Sequence, residues 1–284
     1  MSRYDRASNA ITRREFGALT IGAGLSGLAA AKTHDGTLDE QEVTIPTPSG
    51  SADAYFVHPA LGLHPAVLIW PDIFGLRPAF RQMARRLAGA GYSVLVVNPF
   101  YRLQRAPTSE PGADFDDAAT RQALMSMAKS LTAESAAIDA KAFVDWLDQQ
   151  PAVDGKRKMA TTGYCMGGPL VMRTAAARAD RIGAGATFHG GGLATQAADS
   201  PHRLIPRMRA QFLIAIAAND DQRDPNAKTL LRDAFDAAHL EAEIEVYAGT
   251  LHGWCPPDSR VYDEAAAERA WQRMLALFKR ALGG

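Results

Sequence analysis

The chain has 284 residues, 47% of them hydrophobic, and its 31 Lys+Arg balance 31 Asp+Glu for a net charge of zero. That length supports one sizeable core, and the balance excludes a basic nucleic-acid binder and a polybasic membrane anchor. Its two cysteines, Cys165 and Cys255, form neither a disulfide framework nor a set with metal-ligand spacing.

The N-terminal stretch differs from the rest. Thr12-Arg13-Arg14-Glu15-Phe16 is a twin-arginine sequence, followed by the uncharged, small-residue-rich stretch Gly17 to Ala31. That stretch is short for a membrane span, and it ends in Ala29-Ala30-Ala31, which fits the small-x-small pattern of signal cleavage. The order reads as a twin-arginine (Tat) export signal over residues 1–31, a polar spacer over 32–41 and one domain over 42–284. It predicts the Tat machinery as a partner and a periplasmic or secreted protein. An ordinary N-terminal helix in its place would leave the protein cytoplasmic.

Gly22-Ala23-Gly24-Leu25-Ser26-Gly27 matches the G-x-G-x-x-G dinucleotide fingerprint. The mechanism of that fingerprint needs a buried strand before the first glycine. Arg13 to Ala18 does not read as one, so no cofactor is expected. A dinucleotide-dependent oxidoreductase is the weaker alternative.

From Glu42 onward, strand and helix signals alternate. Val43-Thr44-Ile45 and Ala54 to Val57 read as two antiparallel strands joined by a Pro/Ser/Gly turn. Ala66 to Trp70 and Ser93 to Val97 are continuous apolar runs, as in strands covered on both faces. Pro78 to Ala90, Phe115 to Lys129 and Ala133 to Gln149 read as helices. Lys158 to Thr162 leads into a glycine-rich turn and a helix over Pro169 to Arg178. Strands follow at Gly183 to Phe188, Gln211 to Ala217 and Ala242 to Tyr247, with helices at Ala227 to Ala238 and Val261 to Leu282. The alternation predicts a doubly wound, mostly parallel α/β sheet with helices on both faces. Ligands bind such sheets beyond the carboxyl ends of the strands. Cys165, His189, Asp220 and His252 all follow predicted strands.

Gly163-Tyr164-Cys165-Met166-Gly167-Gly168 is a nucleophile-elbow pattern with cysteine in the nucleophile position, which predicts the α/β-hydrolase fold. The glycines allow a sharp strand-to-helix turn. The turn sets sulfur at a helix N-terminus, where free N–H groups and the helix dipole favour thiolate. The Met166 N–H is placed to meet an oxyanion. α/β-Hydrolases run nucleophile, acid, histidine along the chain. Asp220 or Asp221, and then His252, fit that order; Asp220 is preferred as the first after its strand. Gly253 lets the histidine loop turn tightly.

Pro71-Asp72-Ile73-Phe74-Gly75, Asn98-Pro99-Phe100-Tyr101-Arg102, the Cys165 elbow and His252-Gly253 appear in the order seen in dienelactone hydrolases. The chain resembles that family over residues 42 to 282. The resemblance implies hydrolysis of a small ester or lactone by a Cys-His-Asp triad through an acyl-thioester, with no cofactor or metal. It also implies a second oxyanion donor at the Ile73 N–H. Asp72 stands where the family has a glutamate acting on the thiol proton, although a loop cap explains an aspartate there equally well. Phe74 and Arg102 are implied at the substrate, Arg102 as a carboxylate ligand. A second family arginine is missing after His252, where Trp254 and Cys255 stand. Trp254 is therefore expected to form an apolar wall for a bulkier or uncharged ester; His189 with Gly190 to Gly192 is placed to line the same pocket, although a flexible connection after a strand is the plainer reading. Cys255, three residues past His252, is expected near Cys165, where an oxidising compartment would allow a bridge, although two thiols pointing apart are the plainer reading. A hydrolase fold that binds a ligand without turnover is the nearer alternative.

Overall fold

The computed structural model describes residues 37–283. The export signal and Gly22 to Gly27 lie outside them. One sheet of eight strands is ordered β1-β2-β4-β3-β5-β6-β7-β8. Its first two strands, β1 (Leu38–Thr47) and β2 (Gly50–Pro59), form an antiparallel hairpin. Strand β2 runs antiparallel to β4 (Ser93–Val97). All other pairings are parallel: β3 (Ala66–Trp70), β5 (Met159–Tyr164), β6 (Ile182–Phe188), β7 (Gln211–Ala217) and β8 (Ala242–Tyr247).

Strand β1 begins at Leu38, inside the stretch expected to be a spacer and ahead of the expected domain start at Glu42. It is an edge strand, largely exposed, so its polar composition resembles a linker. Long-range contacts hold it: the Tyr55 hydroxyl donates to Glu40 at 2.5 Å and Arg85 donates to the same carboxylate at 2.8 Å.

Period-two alternation in β3 divides the core. Val67 and Ile69 pack on one face with Phe80 and Leu87 of α1 (Pro78–Gly89) and with Met274 and Phe278 of α7 (Glu264–Ala281). Leu68 and Trp70 pack on the other with Phe143 and Leu147 of α3 (Ala133–Asp148) and Val171 of α4 (Gly167–Ala177). Helix α2 (Ala118–Ala128) buries only Leu124. Helix α6 (Ala227–Ala237) packs Leu231 and Phe235 on the α3 side. Both faces are covered, so the central strands are buried on both sides, and each fully buried Leu, Ile or Phe contributes ~1.5–3 kcal/mol. The sequence reading missed two short elements, a 3-10 turn at Pro201–Arg207 and the six-residue helix α5 (Ala218–Arg223).

Strand order fixes where a ligand can sit. From β3 the chain crosses to β4 on one side and later returns to β5 on the other, so β3 and β5 are neighbours whose following loops diverge. This is the topological switch point of the sheet, where a crevice opens. Trp70 pairs with Gly163 there, bringing the Ile73 loop and the Cys165 turn to the same rim.

Arg102 departs from its expected place. Its guanidinium grips Asp139 of α3 with two bonds of 2.7 Å, and Tyr101 donates a third to the same carboxylate. Asp139 is 1% exposed, and a buried carboxylate demands a charged partner. That demand holds Arg102 away from a substrate carboxylate. Replacing Arg102 with alanine is expected to cost ~3 kcal/mol of stability in urea titration, because Asp139 is left without a cation.

Candidate active site

Cys165 follows β5 directly and has φ +51, a left-handed conformation that non-glycine residues seldom hold. Its N–H donates to the Phe188 carbonyl at 3.0 Å, tying the turn to β6. A Cβ at Gly163 would collide with the Gly167 carbonyl, and one at Gly167 with the Trp70 carbonyl. Side chains at either position would therefore push the turn off the sheet. The thiol is half-buried at the start of α4. The N–H groups of Met166 and Ile73 have no acceptor among the described residues.

His252 comes from the loop after β8. Gly253 has φ +100, as the tight turn required, and Thr250 donates to the Tyr247 carbonyl at 2.8 Å. The His252 N–H donates to the Asn219 side-chain oxygen at 2.8 Å, and its Nδ1 bonds Asp220 at 2.6 Å. Asn219 and Asp220 are consecutive in α5, so one turn of helix holds both the backbone and the ring of His252. Asp221 points elsewhere and pairs with Lys228 at 2.6 Å. Nothing in the sequence marked Asn219; only the six-residue helix gives it a role.

The Cys165 thiol is the other polar neighbour acting on the His252 ring. Burial works against the charged ring, but the Asp220 hydrogen bond and the Cys165 sulfur outweigh it and push its pKa up to about 10. An unfolded histidine titrates near 6.5. The stabilisation from charged His252 is thus fully present below that pH and is lost as pH rises through about 10. The urea midpoint of the wild type is expected to fall across this window. His252→Gln should flatten that part of the curve.

His189 lies behind His252 and is 1% exposed, so it lines no open pocket. Its ring meets His252 edge to face at 5.1 Å and Trp254 at 5.3 Å. Burial, and then the charge of His252, hold its pKa well below the usual histidine range. A neutral ring at φ +43 therefore backs His252. Trp254 is fully buried and stacked on Tyr247 at 5.1 Å. It supports His189 from beneath and forms no exposed apolar wall. A large ring is drawn into the core rather than left at the rim of a pocket.

Asp72 also takes the capping role. Its carboxylate accepts the Phe74 N–H at 3.0 Å and the Arg77 guanidinium at 2.6 and 3.0 Å. Arg77 further holds Asp258 at 2.7 and 2.9 Å. The resulting clamp joins the Ile73 loop to the loop that follows His252. The sequence did not single out Arg77, because its second carboxylate lies 181 residues away. The half-buried Phe74 ring sits 5.4 Å from the Arg77 cation, and its carbonyl accepts the Ser109 hydroxyl at 3.1 Å. Arg260 pairs with Asp114. Both cysteines are free, and Cys255 is buried in the α1–α7 face of the core. Among the described residues no cluster of side chains is arranged to hold a metal, and no helix is long and apolar enough to cross a membrane.

The sequence and the fold have counterparts in known proteins. The model of the dienelactone hydrolase family matches residues 52–282. A Salmonella typhi protein named as a candidate carboxymethylenebutenolidase is 27% identical over 251 residues, covering 87% of this chain and 89% of its own. A carboxymethylenebutenolidase of a Pseudomonas species is 27% identical over 233 residues, covering 81% and 91%. The crystal structure of a Klebsiella pneumoniae protein, named as a candidate dienelactone hydrolase, superposes with a TM-score of 0.73 at 26% identity, over 85% of this chain and 98% of that one. With the family match spanning most of its length, the chain belongs to the dienelactone hydrolase family.

Proposed function

We propose that the protein hydrolyses carboxylic esters or lactones of small molecules, with Cys165 as nucleophile, His252 as acid–base and Asp220 as its orienting carboxylate. The observation that carries this reading is the His252 ring, held at 2.6 Å by Asp220 and acted on by the Cys165 thiol. A protonated imidazole beside sulfur stabilises its anion, which is the attacking form. Sulfur adds to the carbonyl carbon, and the oxyanion is received by the N–H groups of Met166 and Ile73. The carbon–oxygen bond then breaks as His252 gives its proton to the leaving alkoxide, forming an acyl-thioester. Neutral His252 next takes a proton from water, the hydroxide adds to the thioester, and the acid leaves as sulfur is released.

An uncharged substrate fits best. Arg77, Arg102 and Arg260, three of the arginines near the site, are each paired with carboxylates of the chain itself. No guanidinium among these three is left over for a substrate carboxylate. The twin-arginine segment supports export through the Tat machinery to the periplasm; fractionation and sequencing of the mature N-terminus test that part.

Alkylation tests the chemistry. Iodoacetamide at neutral pH should modify Cys165 about tenfold or more faster than a free thiol. Buried Cys255 should stay unmodified, and turnover of a p-nitrophenyl ester should fall in proportion to the label. Full turnover by fully labelled enzyme would sink the reading.

A further inference from the structure

On the α1–α7 face of the sheet, behind the Cys165 turn, lies a cavity of about 170 Å³. Cys165, Asp220 and His252 take no part in its lining. Its buried walls are Met83, Tyr164, Phe188, Cys255, Ala270 and Trp271. Arg86 and Glu268 stand at its exposed rim with Gln82, and Pro257, Tyr262 and Ala267 complete the lining.

The lining specifies a ligand class. Two sulfur side chains and three buried aromatic rings make a soft, polarizable wall, which favours an aromatic ring over an aliphatic chain. Engineered apolar cavities of ~150 Å³ accept benzene, so the volume suits a single ring. The rim carries no spare charge: Arg86 forms a two-bond ion pair with Glu268 and lies 4.3 Å above the Trp271 ring. A charged ligand would have to break that pair. Gln82 offers neutral hydrogen bonding in its place. We propose that this cavity is a second small-molecule site, separate from the catalytic centre, taking one uncharged aromatic ring that bears a single hydroxyl.

The site is wired to the nucleophile. Tyr164 immediately precedes Cys165 and stacks on Phe188 at 5.0 Å and 19°. The Phe188 carbonyl holds the Cys165 N–H. Cys255 is three residues past His252 on the same loop. A ring seated between α1 and α7 therefore touches the residue before the nucleophile and the loop of the base.

Phenol is the probe, and calorimetric titration of the full chain is the measurement. Cys165 is first alkylated with iodoacetamide to block the catalytic pocket. Saturable one-to-one binding to the alkylated protein is expected. Ala270→Leu and Ala267→Leu, each adding bulk to the cavity, should weaken it about tenfold or more. Melting curves and circular dichroism report the folding of each variant, so either one suffices if the other fails to fold. Neither residue belongs to the catalytic set, so ester turnover by the unalkylated variants should stay near the wild type. Absence of saturable binding would overturn the proposal, as would equal binding in a folded variant. Binding that vanishes on alkylating Cys165 would place phenol in the catalytic pocket and overturn it too. A protein that binds phenol here yet hydrolyses no ester would keep this site and lose the catalytic reading.

Discussion

Cys165→Ala is expected to lower kcat/KM for an activated aryl ester by ~10⁴-fold or more, leaving only binding and the oxyanion donors to act on water. The size of the effect follows from what the thiol does. Without sulfur there is no acyl-thioester, and His252 has no nucleophile to pair with. Fold and melting temperature should change little, because the side chain is half-buried and the turn is held by backbone bonds and glycines rather than by sulfur. Steady-state hydrolysis of a p-nitrophenyl ester, with a melting curve on the same sample, checks both halves. Retained turnover in a folded Cys165→Ala protein would remove the nucleophile from the mechanism.

Asp220→Asn is the second large effect, with kcat expected to fall by ~10²–10⁴-fold. The amide keeps the size of the carboxylate but cannot stabilise the imidazolium, and it can present its NH₂ to Nδ1 and favour the wrong tautomer. The pKa of His252 should drop from about 10, since the Asp220 hydrogen bond is a main cause of its rise. Cys165 should then react more slowly with iodoacetamide near neutral pH. Asp221→Asn is the control. Asp221 faces Lys228, so its loss should leave turnover within about twofold, as for an exposed ion pair. Equal damage from the two variants would show that α5 acts as a structural unit and that neither carboxylate orients the ring.

Much of this protein was legible in its sequence because the relevant signals are local. Continuous apolar runs at Ala66 to Trp70 and Ser93 to Val97 marked buried parallel strands, and both are fully buried. The glycines around Cys165 marked a sharp turn, and each proves to lie against backbone with no room for a side chain. The edge strand β1 was harder. Its exposed face is polar, so its start looked like linker until the pairing with β2 was visible.

Side-chain partners were the opposite case. Asp220 and Asp221 are neighbours in sequence, and only the phase of the short helix α5 turns one to His252 and the other to Lys228. Arg102 and Asp72 stand in motifs that suggest contact with substrate, yet Asp139 and Arg77 claim them. Trp254 follows the histidine as a pocket residue might, yet it is buried under His189.

The order of elements, the glycine turn and the succession of sulfur, acid and imidazole are thus properties of the chain alone, since they depend on residue type and spacing over a few positions. Which charges cancel one another, and which rings sink beneath the site, was decided only by the folded chain. Ion pairs and stacking are set by distances between segments that folding brings together, and no local pattern records those distances.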